Sequence, residues 1–350
     1  MTLTRLLGIA LPIIQAPMAG VQDSALAIAV SNAGGLGSLP CAMLGPVALR
    51  DELACLKAGT DQPFNVNFFA HAPPQEDPLR STRWIDRLAP YYREFGIDPA
   101  SISGGPGRSP FSSATADILD AFRPAVVSFH FGLPSPELLA RARAHGARIL
   151  SSATTVQEAR WLEAQGVDAI IAQGLEAGGH RGMFQTNDVT TQLGTFALLR
   201  QVVQAVRVPV IAAGGIADAA GVAAAMALGA AGVQIGTAYM LCDESTTSAI
   251  HRAALASPAA SHTALTNLFT GRPARGIVNR LMRELGPINM DDVPPFPLAT
   301  AAIAPLRAAA EQRGLGDFSP LWSGQNASGC KNIPAADLTR ELMALVTRRG

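Results

Sequence analysis

The fold is decided by residues 209–237, which read PVIAAGGIADAAGVAAAMALGAAGVQIGT. This stretch begins with the short apolar run Pro209–Ala213 and ends with a second run, Gly232–Thr237. Between them, Asp218–Leu228 has the spacing of a helix and is followed by a glycine. A strand, a helix and a strand in this order pair in parallel through a right-handed crossover, so the stretch predicts a β-α-β unit.

The same order of strand and helix recurs along the whole chain. The eight predicted strands are Pro12–Ala16, Gly35–Leu39, Phe64–Phe69, Ala125–Phe131, Arg148–Ser152, Ala169–Gln173, Pro209–Ala213 and Gly232–Thr237. They are continuous apolar runs, which are typical of strands buried on both faces. Eight such units favour a closed TIM (β/α)₈ barrel over an open doubly wound sheet, and residues 1–350 are predicted to form a single domain.

Helical patterns lie between the predicted strands. Thr155-Val-Gln-Glu158 has the form of a capping box, in which each end residue hydrogen-bonds to the backbone of the other. Gly194–Val206 has helical spacing, and Pro334–Thr347 closes the chain as a helix. The apolar face of that last helix is predicted to consist of Leu338, Leu342 and Leu345.

Two segments are longer than a minimal barrel requires. Residues 70–124 follow the third predicted strand and include the loop Ser103-Gly-Gly-Pro-Gly-Arg108. Residues 242–330 follow the eighth and include Leu321-Trp-Ser-Gly-Gln325. Barrel active sites are built at the carboxyl ends of the strands, so both insertions are predicted to be lids over the site.

The composition excludes several classes of protein. The 350 residues carry 27 basic and 27 acidic side chains, and a net charge of zero argues against a nucleic-acid binder. Residues 219–242 carry no charge, but their glycines divide them into a helix, a turn and a strand, so a membrane span is rejected. Four cysteines without metal spacing, and an amino terminus that is a poor signal peptide, predict a cytoplasmic location.

Several common chemistries also lack their motifs. The sequence has no GxGxxG, so a Rossmann dinucleotide site is unsupported, and no Gly-Lys pair, so there is no P-loop. The two lysines, Lys57 and Lys331, lie outside the predicted strands, which argues against Schiff-base chemistry. The six histidines are scattered, and no metal site is expected.

Three amide side chains fall on the inner face of predicted strands. Period two places Asn65 and Asn67 inside the barrel and Phe64 against the helices, and Gln173 ends the sixth strand. A buried amide must be hydrogen-bonded. Either loop backbone satisfies these amides, or they bind a heterocyclic ligand.

His130 is the candidate catalytic residue. It ends the fourth strand on the inner face together with Ser128, whereas Phe129 and Phe131 are predicted to face the helices. Apolar surroundings favour the neutral imidazole, which can accept a proton. His180 lies on a loop that borders the same face, and the other histidines are predicted to be structural.

Glycine-rich turns follow the last two strands. Barrels of this fold bind phosphate there through backbone N–H groups, and Gly214, Gly215, Gly236 and Thr237 are placed to do so. A phosphate at one end and a hydrogen-bonding heterocycle at the other fit flavin mononucleotide (FMN). Pyridoxal phosphate fits less well because no lysine is available at the rim.

Taken in order, five motifs resemble class I nitronate monooxygenases, formerly grouped as 2-nitropropane dioxygenases. They are Ile14-Gln-Ala-Pro-Met-Ala-Gly20, Pro63-Phe-Asn-Val-Asn-Phe-Phe69, Ser128-Phe-His-Phe-Gly132, Gln173-Gly-Leu-Glu-Ala-Gly-Gly-His-Arg-Gly182 and Ala212-Ala-Gly-Gly-Ile-Ala217. The resemblance covers about residues 8–240.

This resemblance implies non-covalent FMN and oxidation of alkyl nitronates, foremost propionate 3-nitronate, by O₂ to a carbonyl compound plus nitrite or nitrate. It implies His130 as the catalytic residue, able to abstract the α-proton of a neutral nitroalkane, and His130 and His180 as substrate contacts. The implied flavin contacts are Ala16, Pro17, Met18, Asn67, Gln173, Gly178, Gly179, Gly214, Gly215, Gln234, Ile235, Gly236 and Thr237. Phe296 stands where the family leads us to expect a tyrosine, and a monomer or homodimer is expected.

Three other functions remain open on the same barrel. A flavin-dependent NAD(P)H:quinone or enoyl reductase would bind its nucleotide through loops, so the missing GxGxxG does not exclude it. A flavin-storing or nitro-compound-sensing protein would leave His130 without a role. A sugar-phosphate isomerase would be colourless when purified.

Overall fold

The computed structural model describes residues 2–75, 77–102 and 108–347 of the chain. In chain order the strands are β1 (Ile13–Gln15), β2 (Gly37–Pro40), β3 (Phe64–Phe69), β4 (Val126–His130), β5 (Arg148–Ala153), β6 (Ala169–Gln173), β7 (Gly179–His180), β8 (Val210–Ala213), β9 (Gly232–Ile235), β10 (Thr263–Thr266) and β11 (Ala274–Ile277). The helices are α1 (Leu3–Leu7), α2 (Ser24–Asn32), α3 (Pro46–Gly59), α4 (Pro78–Phe95), α5 (Ser113–Phe122), α6 (Pro136–Arg143), α7 (Val156–Ala164), α8 (Thr195–Ala205), α9 (Ala219–Ala227), α10 (Ala249–Leu255), α11 (Arg280–Leu285), α12 (Thr300–Gln312) and α13 (Ala335–Thr347).

Eight parallel strands form the barrel, in the order β1, β2, β3, β4, β5, β6, β8, β9. The backbone of Gln15 donates a hydrogen bond of 2.9 Å to Leu36 O just before β2, and this bridge closes the ring between the first and second strands. The predicted TIM barrel is therefore confirmed. The tail helix α13 packs on α9 and α2 and serves as the eighth helix of the ring.

The predicted strand boundaries agree with the structure to within two residues. β3 and β6 match their predicted ranges, whereas the second strand begins at Gly37 rather than Gly35. The last barrel strand ends at Ile235, because a 3₁₀ helix begins at Thr237. The uncharged stretch 219–242 is a helix, a strand and a 3₁₀ turn, and no helix among the described residues is long and apolar enough to cross a membrane.

Side chains alternate between the two faces of the barrel wall. Phe64, Val66 and Phe68 pack against the helices, as period two predicts. Inside the barrel, Leu3 and Leu7 of α1 pack against inward residues of the strands and close the amino-terminal end. The opposite, carboxyl-terminal end is left for the site.

Two helix predictions need correction. Thr155 caps α7, but the Glu158 carboxylate accepts from Thr154 and Phe184 instead of from the Thr155 N–H, so the capping box is only half formed. On α13, Leu338 and Leu342 are buried, but Leu345 is 41% exposed and Met343 takes the buried place.

The two insertions pack on each other over the carboxyl end. α4 of the first and α12 of the second form an apolar cluster that is separate from the barrel core, and the Tyr92 hydroxyl donates to Ala302 O at 2.7 Å. The sequence revealed no second core, and this one is built jointly by segments about 200 residues apart. Residues 103–107 of the predicted loop lie outside the described part of the chain. The single-domain assignment stays a prediction.

Candidate active site

A cavity opens at the carboxyl end of the barrel, between the strand ends and the two insertions. The space between its walls, counted together with the open mouth, is about 1330 Å³. All of the predicted cofactor and substrate residues line it, namely Ala16, Pro17, Met18, Asn67, His130, Gln173, Gly178, Gly179, His180, Gly214, Gly215, Gln234, Ile235, Gly236 and Thr237. The structure thus brings together residues from six separate strand ends.

The two asparagines of β3 have different surroundings. Asn67 lines the cavity, and its amide donates to Ser128 Oγ at 2.9 Å. Asn65 lies deeper, outside the cavity lining, where its amide donates to Ser38 Oγ at 3.0 Å. Asn65 lies two residues before Asn67 on β3, deeper in the barrel, and its side chain does not line the cavity. The hypothesis that Asn65 binds a heterocyclic ligand is therefore wrong.

Gln173 holds the loop that follows β6. Its side chain accepts from Gly182 N at 2.7 Å and donates to His180 O at 3.0 Å. Arg181 is fully buried behind the loop and donates to the carbonyl oxygens of Gln173 and Gly174, both at 2.7 Å. Of the two interpretations of this amide, backbone satisfaction is what the structure shows, although one edge of Gln173 still faces the cavity.

Both ring nitrogens of His130 have protein partners. Nε2 lies 3.1 Å from the carbonyl oxygen of His180, and Nδ1 lies 3.0 Å from Ser152 Oγ. A carbonyl oxygen can only accept, so Nε2 carries the proton and Nδ1 accepts from the serine hydroxyl. Gly182 lies against this ring, where a Cβ would be 2.8 Å from His130 Cε1.

The histidines around the cavity are held neutral. Burial lowers the pKa of His130 to about 4, and the positive charges of Arg272 and Arg181 act in the same direction. Burial, with Arg272 again, lowers the pKa of His71 to about 4. The pKa of His180 is also well below its usual value, through burial and then the charge of Arg108. At neutral pH these rings are donors or acceptors of hydrogen bonds and not cations.

An aromatic wall stands beside the histidines. Phe69, Phe131 and Phe296 form one buried cluster, in which the Phe131 and Phe296 rings are 5.4 Å apart. The prediction that Phe131 faces the helices is wrong, because its backbone has a φ of +72° and turns the ring toward His130, 4.6 Å away. Of the three rings, Phe69 lines the cavity itself, whereas Phe131 and Phe296 line a neighbouring pocket.

The glycine-rich turns after β8 and β9, here called the glycine corners, lie across the cavity from this wall. The second insertion covers them. Gly214 and Gly215 have φ values of +119° and +70°, which favour glycine. Thr237 Oγ1 accepts from Gly324 N at 3.0 Å, and the Asn326 amide donates to Gly215 O at 3.1 Å. Trp322, Gly324 and Asn326 also line the cavity. They belong to the predicted lid 242–330, but their distance along the chain from the strand ends concealed their individual contacts.

A buried amide pair shapes the loop after β1. Gln22 Oε1 accepts from Met18 N at 2.9 Å and from Gln15 Nε2 at 2.7 Å. These bonds hold the segment Ala16–Met18 against the cavity, and the side chains of the segment take no part in them.

The cavity is electropositive. Among the described residues, Arg108 is the charged side chain that lines it, with no aspartate, glutamate or lysine. Three further arginines, Arg181, Arg272 and Arg275, lie behind the wall and form no salt bridge within the described chain. The carboxylates of Glu158 and Glu176 act on these arginines and offset part of their charge. The described residues contain no group of three or more potential metal ligands. These features define a barrel enzyme whose site suits an organic ligand that is neutral or negatively charged.

Comparison with known proteins places this barrel in a family. The family model described as "Nitronate monooxygenase" matches residues 1–344. Curated nitronate monooxygenases from Pseudomonas aeruginosa and Paraburkholderia phytofirmans are 46% and 45% identical over 343 residues, which cover 97% and 96% of this chain and 97% and 92% of theirs. The chain belongs to the nitronate monooxygenase family and is an oxidoreductase.

Solved structures share this fold. A nitroalkane oxidase from Streptomyces ansochromogenes superimposes with a TM-score of 0.89 and 39% identity, covering 99% of both chains. FabK from Thermotoga maritima is more distant, with a TM-score of 0.71 and 27% identity over 100% of this chain and 97% of its own.

Proposed function

We propose that this protein oxidises anionic alkyl nitronates, foremost propionate 3-nitronate, with O₂ and bound FMN, giving a carbonyl compound plus nitrite or nitrate. The observation that carries the proposal is the electropositive cavity, in which a neutral His130 faces amides and glycine corners. An anion gains from the nearby positive charge, and a neutral histidine needs only to donate a hydrogen bond to it.

The residues present fit a flavin. Gln234 Oε1 is buried at the cavity with no hydrogen-bond partner among the described residues, and a flavin ring offers an N–H donor that would satisfy it. Asn67 and Gln173 would contact the same ring system. Gly214, Gly215, Gly236 and Thr237 would hold the phosphate through backbone N–H groups. Enzymes of this family are flavin-dependent in general, and bound FMN would supply the electron acceptor for nitronate oxidation.

His130 is suited to orienting an anion rather than to removing a proton. Its Nε2–H can turn from His180 O to a nitronate oxygen, since that carbonyl keeps the Gln173 amide as a second donor. Its unprotonated Nδ1 is occupied by the Ser152 hydroxyl, and a pKa of about 4 makes it a weak base at neutral pH. Preformed nitronates are therefore the preferred substrates, and neutral nitroalkanes react slowly.

Replacing His130 tests this division of roles. We expect His130→Asn to lose nearly all oxygen uptake on neutral nitroethane, because proton removal needs the imidazole. On ethyl nitronate we expect a loss of about 10-fold, since an amide still donates one hydrogen bond. Oxygen consumption at saturating O₂ measures both, after the flavin spectrum has shown equal cofactor content.

His262→Asn is the matched control. His262 is exposed and lies outside the cavity, so its replacement should change neither rate. Equal activity of His130→Asn and wild type on both substrates would remove His130 from the mechanism.

Two further proposals accompany this function. The four cysteines are free, which supports a cytoplasmic location. The rival NAD(P)H-dependent reductase remains the alternative function, and anaerobic bleaching of the flavin by NADH or NADPH separates it from the proposal.

A further inference from the structure

One cationic side chain in the cavity has no partner of opposite charge in the described part of the chain. Arg108 is half-buried at the cavity, where Nη1 donates to Thr300 Oγ1 at 3.2 Å. It forms no ion pair with any described residue, and burial lowers its pKa. Among the described side chains its guanidinium has this one hydrogen-bond acceptor, and a partly desolvated guanidinium is costly unless acceptors satisfy its donors.

The position of Arg108 separates it from the reacting end of a substrate. His130 lies at the end of β4, on the floor of the cavity, whereas Arg108 belongs to the first insertion and reaches the cavity from the lid side. Its guanidinium carbon lies 5.8 Å from the centre of the Phe296 ring, which is itself 5.4 Å from the His180 ring. Because His130 and Arg108 both line the cavity, a substrate with its nitronate end at His130 can direct its other end toward Arg108.

We propose that Arg108 is a specificity-determining residue that binds a carboxylate at the far end of the nitronate substrate. The inference rests on the proposed nitronate oxidation and names its substrate class, a nitronate with a second anionic group. The planar guanidinium suits a carboxylate, which accepts two parallel N–H bonds from it. Thr300 and the Phe296 ring hold the side chain in place for this contact.

A matched pair of substrates tests the proposal. Propionate 3-nitronate and propyl 1-nitronate have three carbons each and differ in the carboxylate. In Arg108→Gln we expect kcat/KM to fall about 10- to 100-fold on propionate 3-nitronate, mainly through KM, and at most about threefold on propyl 1-nitronate. Arg108→Lys should recover part of the loss, because it restores the charge without the planar fork.

Two controls make the result specific. Arg93→Gln removes the same charge from an exposed site in the same insertion and should alter neither substrate. The methyl ester of propionate 3-nitronate should react equally well with wild type and Arg108→Gln, because the ester cannot accept the charged contact. The substitution Arg108→Gln and the esterification should each lower kcat/KM. The difference between their combined effect and the sum of their separate effects measures the contact between the carboxylate and Arg108.

The outcomes separate this inference from the function on which it rests. Equal losses on both nitronates, or a lower flavin content in Arg108→Gln, would make Arg108 a structural or cofactor residue and overturn the inference alone. Failure of the wild type to consume oxygen with either nitronate would overturn the proposed function and the inference together.

Discussion

At the scale of single residues, Gly182 decides where the His130 ring can lie. A Cβ at this position would be 2.8 Å from His130 Cε1 and 2.9 Å from Ser152 Cβ, so Gly182→Ala must displace the ring or the loop. We expect kcat/KM on ethyl nitronate to fall at least 10-fold, with a loss of about 1–3 kcal/mol in the free energy of unfolding. Steady-state oxygen uptake and urea unfolding measure the two effects.

Gly221→Ala is the control for that change. Gly221 lies in helix α9, and its Cβ would meet only Asp218 and Ile216 at ordinary distances of 3.4 Å or more. Activity should be unchanged and the protein slightly more stable, because alanine favours a helix. If Gly182→Ala behaved in the same way, the ring position would not matter for turnover.

Gln234 provides a second residue-scale prediction. Its buried Oε1 has no partner within the described chain, so Gln234→Leu should leave the flavin-free protein at least as stable as wild type. The same substitution should weaken flavin binding about 10-fold, because the flavin then loses an acceptor. Flavin fluorescence titration and thermal unfolding of the apoprotein measure the two results.

Asn65→Leu serves for comparison. Asn65 also has a buried oxygen without a partner, but it lies below the cavity. Its replacement should cost stability through the lost bond to Ser38 and leave flavin affinity unchanged. Equal flavin affinity of Gln234→Leu and wild type would contradict the assignment of Gln234 to the cofactor.

At the scale of elements, Glu158 joins helix α7 to the loop after β6. The carboxylate is fully buried and accepts from Thr154 N, Thr154 Oγ1 and Phe184 N at 2.6–2.7 Å. In Glu158→Gln an NH₂ group must face these donors, so we expect a loss of about 2 kcal/mol in the free energy of unfolding. Urea denaturation measures this, with exposed Glu137→Gln expected to change it by less than about 1 kcal/mol.

The strands were predictable because each is a short apolar run bounded by glycine, proline or polar residues. Period two also placed Asn67 and His130 correctly on the inner face. It failed at Phe131, whose positive φ breaks the alternation at the strand end. The local spacing predicts that Glu158 caps its own helix. It cannot show that Phe184, on the loop after β6, supplies a backbone N–H to the same carboxylate.

The insertions could not be assembled from sequence. Tyr92 bonds to Ala302 across 210 positions, and no local pattern reveals such a contact. For the same reason the sequence places Arg108 and Trp322 in predicted lids but does not show that their side chains line the cavity.

At the scale of the whole molecule, buried histidines make stability depend on pH. Burial lowers the pKa of His130 and of His251 to about 4, from an ordinary value of 6.5. Between pH 6.5 and 4 the unfolded chain binds protons at these sites that the native chain does not, so stability is lost as pH falls through this window. Each ring contributes a slope of up to about 1.4 kcal/mol per pH unit.

Urea unfolding at pH 7 and pH 5 tests this dependence. The midpoint should be clearly lower at pH 5, and His251→Gln should flatten the difference, whereas His262→Gln should not, since His262 is exposed. A midpoint that is equal at both pH values would contradict the lowered pKa values of His130 and His251.

We propose that the barrel cavity of the whole molecule oxidises nitronates with O₂. Oxygen uptake measures this activity most directly. Purified protein loaded with FMN is mixed with propionate 3-nitronate in an oxygen electrode, with no pyridine nucleotide present. We predict immediate oxygen consumption accompanied by nitrite or nitrate. A protein that takes up no flavin, or that consumes oxygen only after NADH or NADPH is added, would contradict nitronate oxidation at this site.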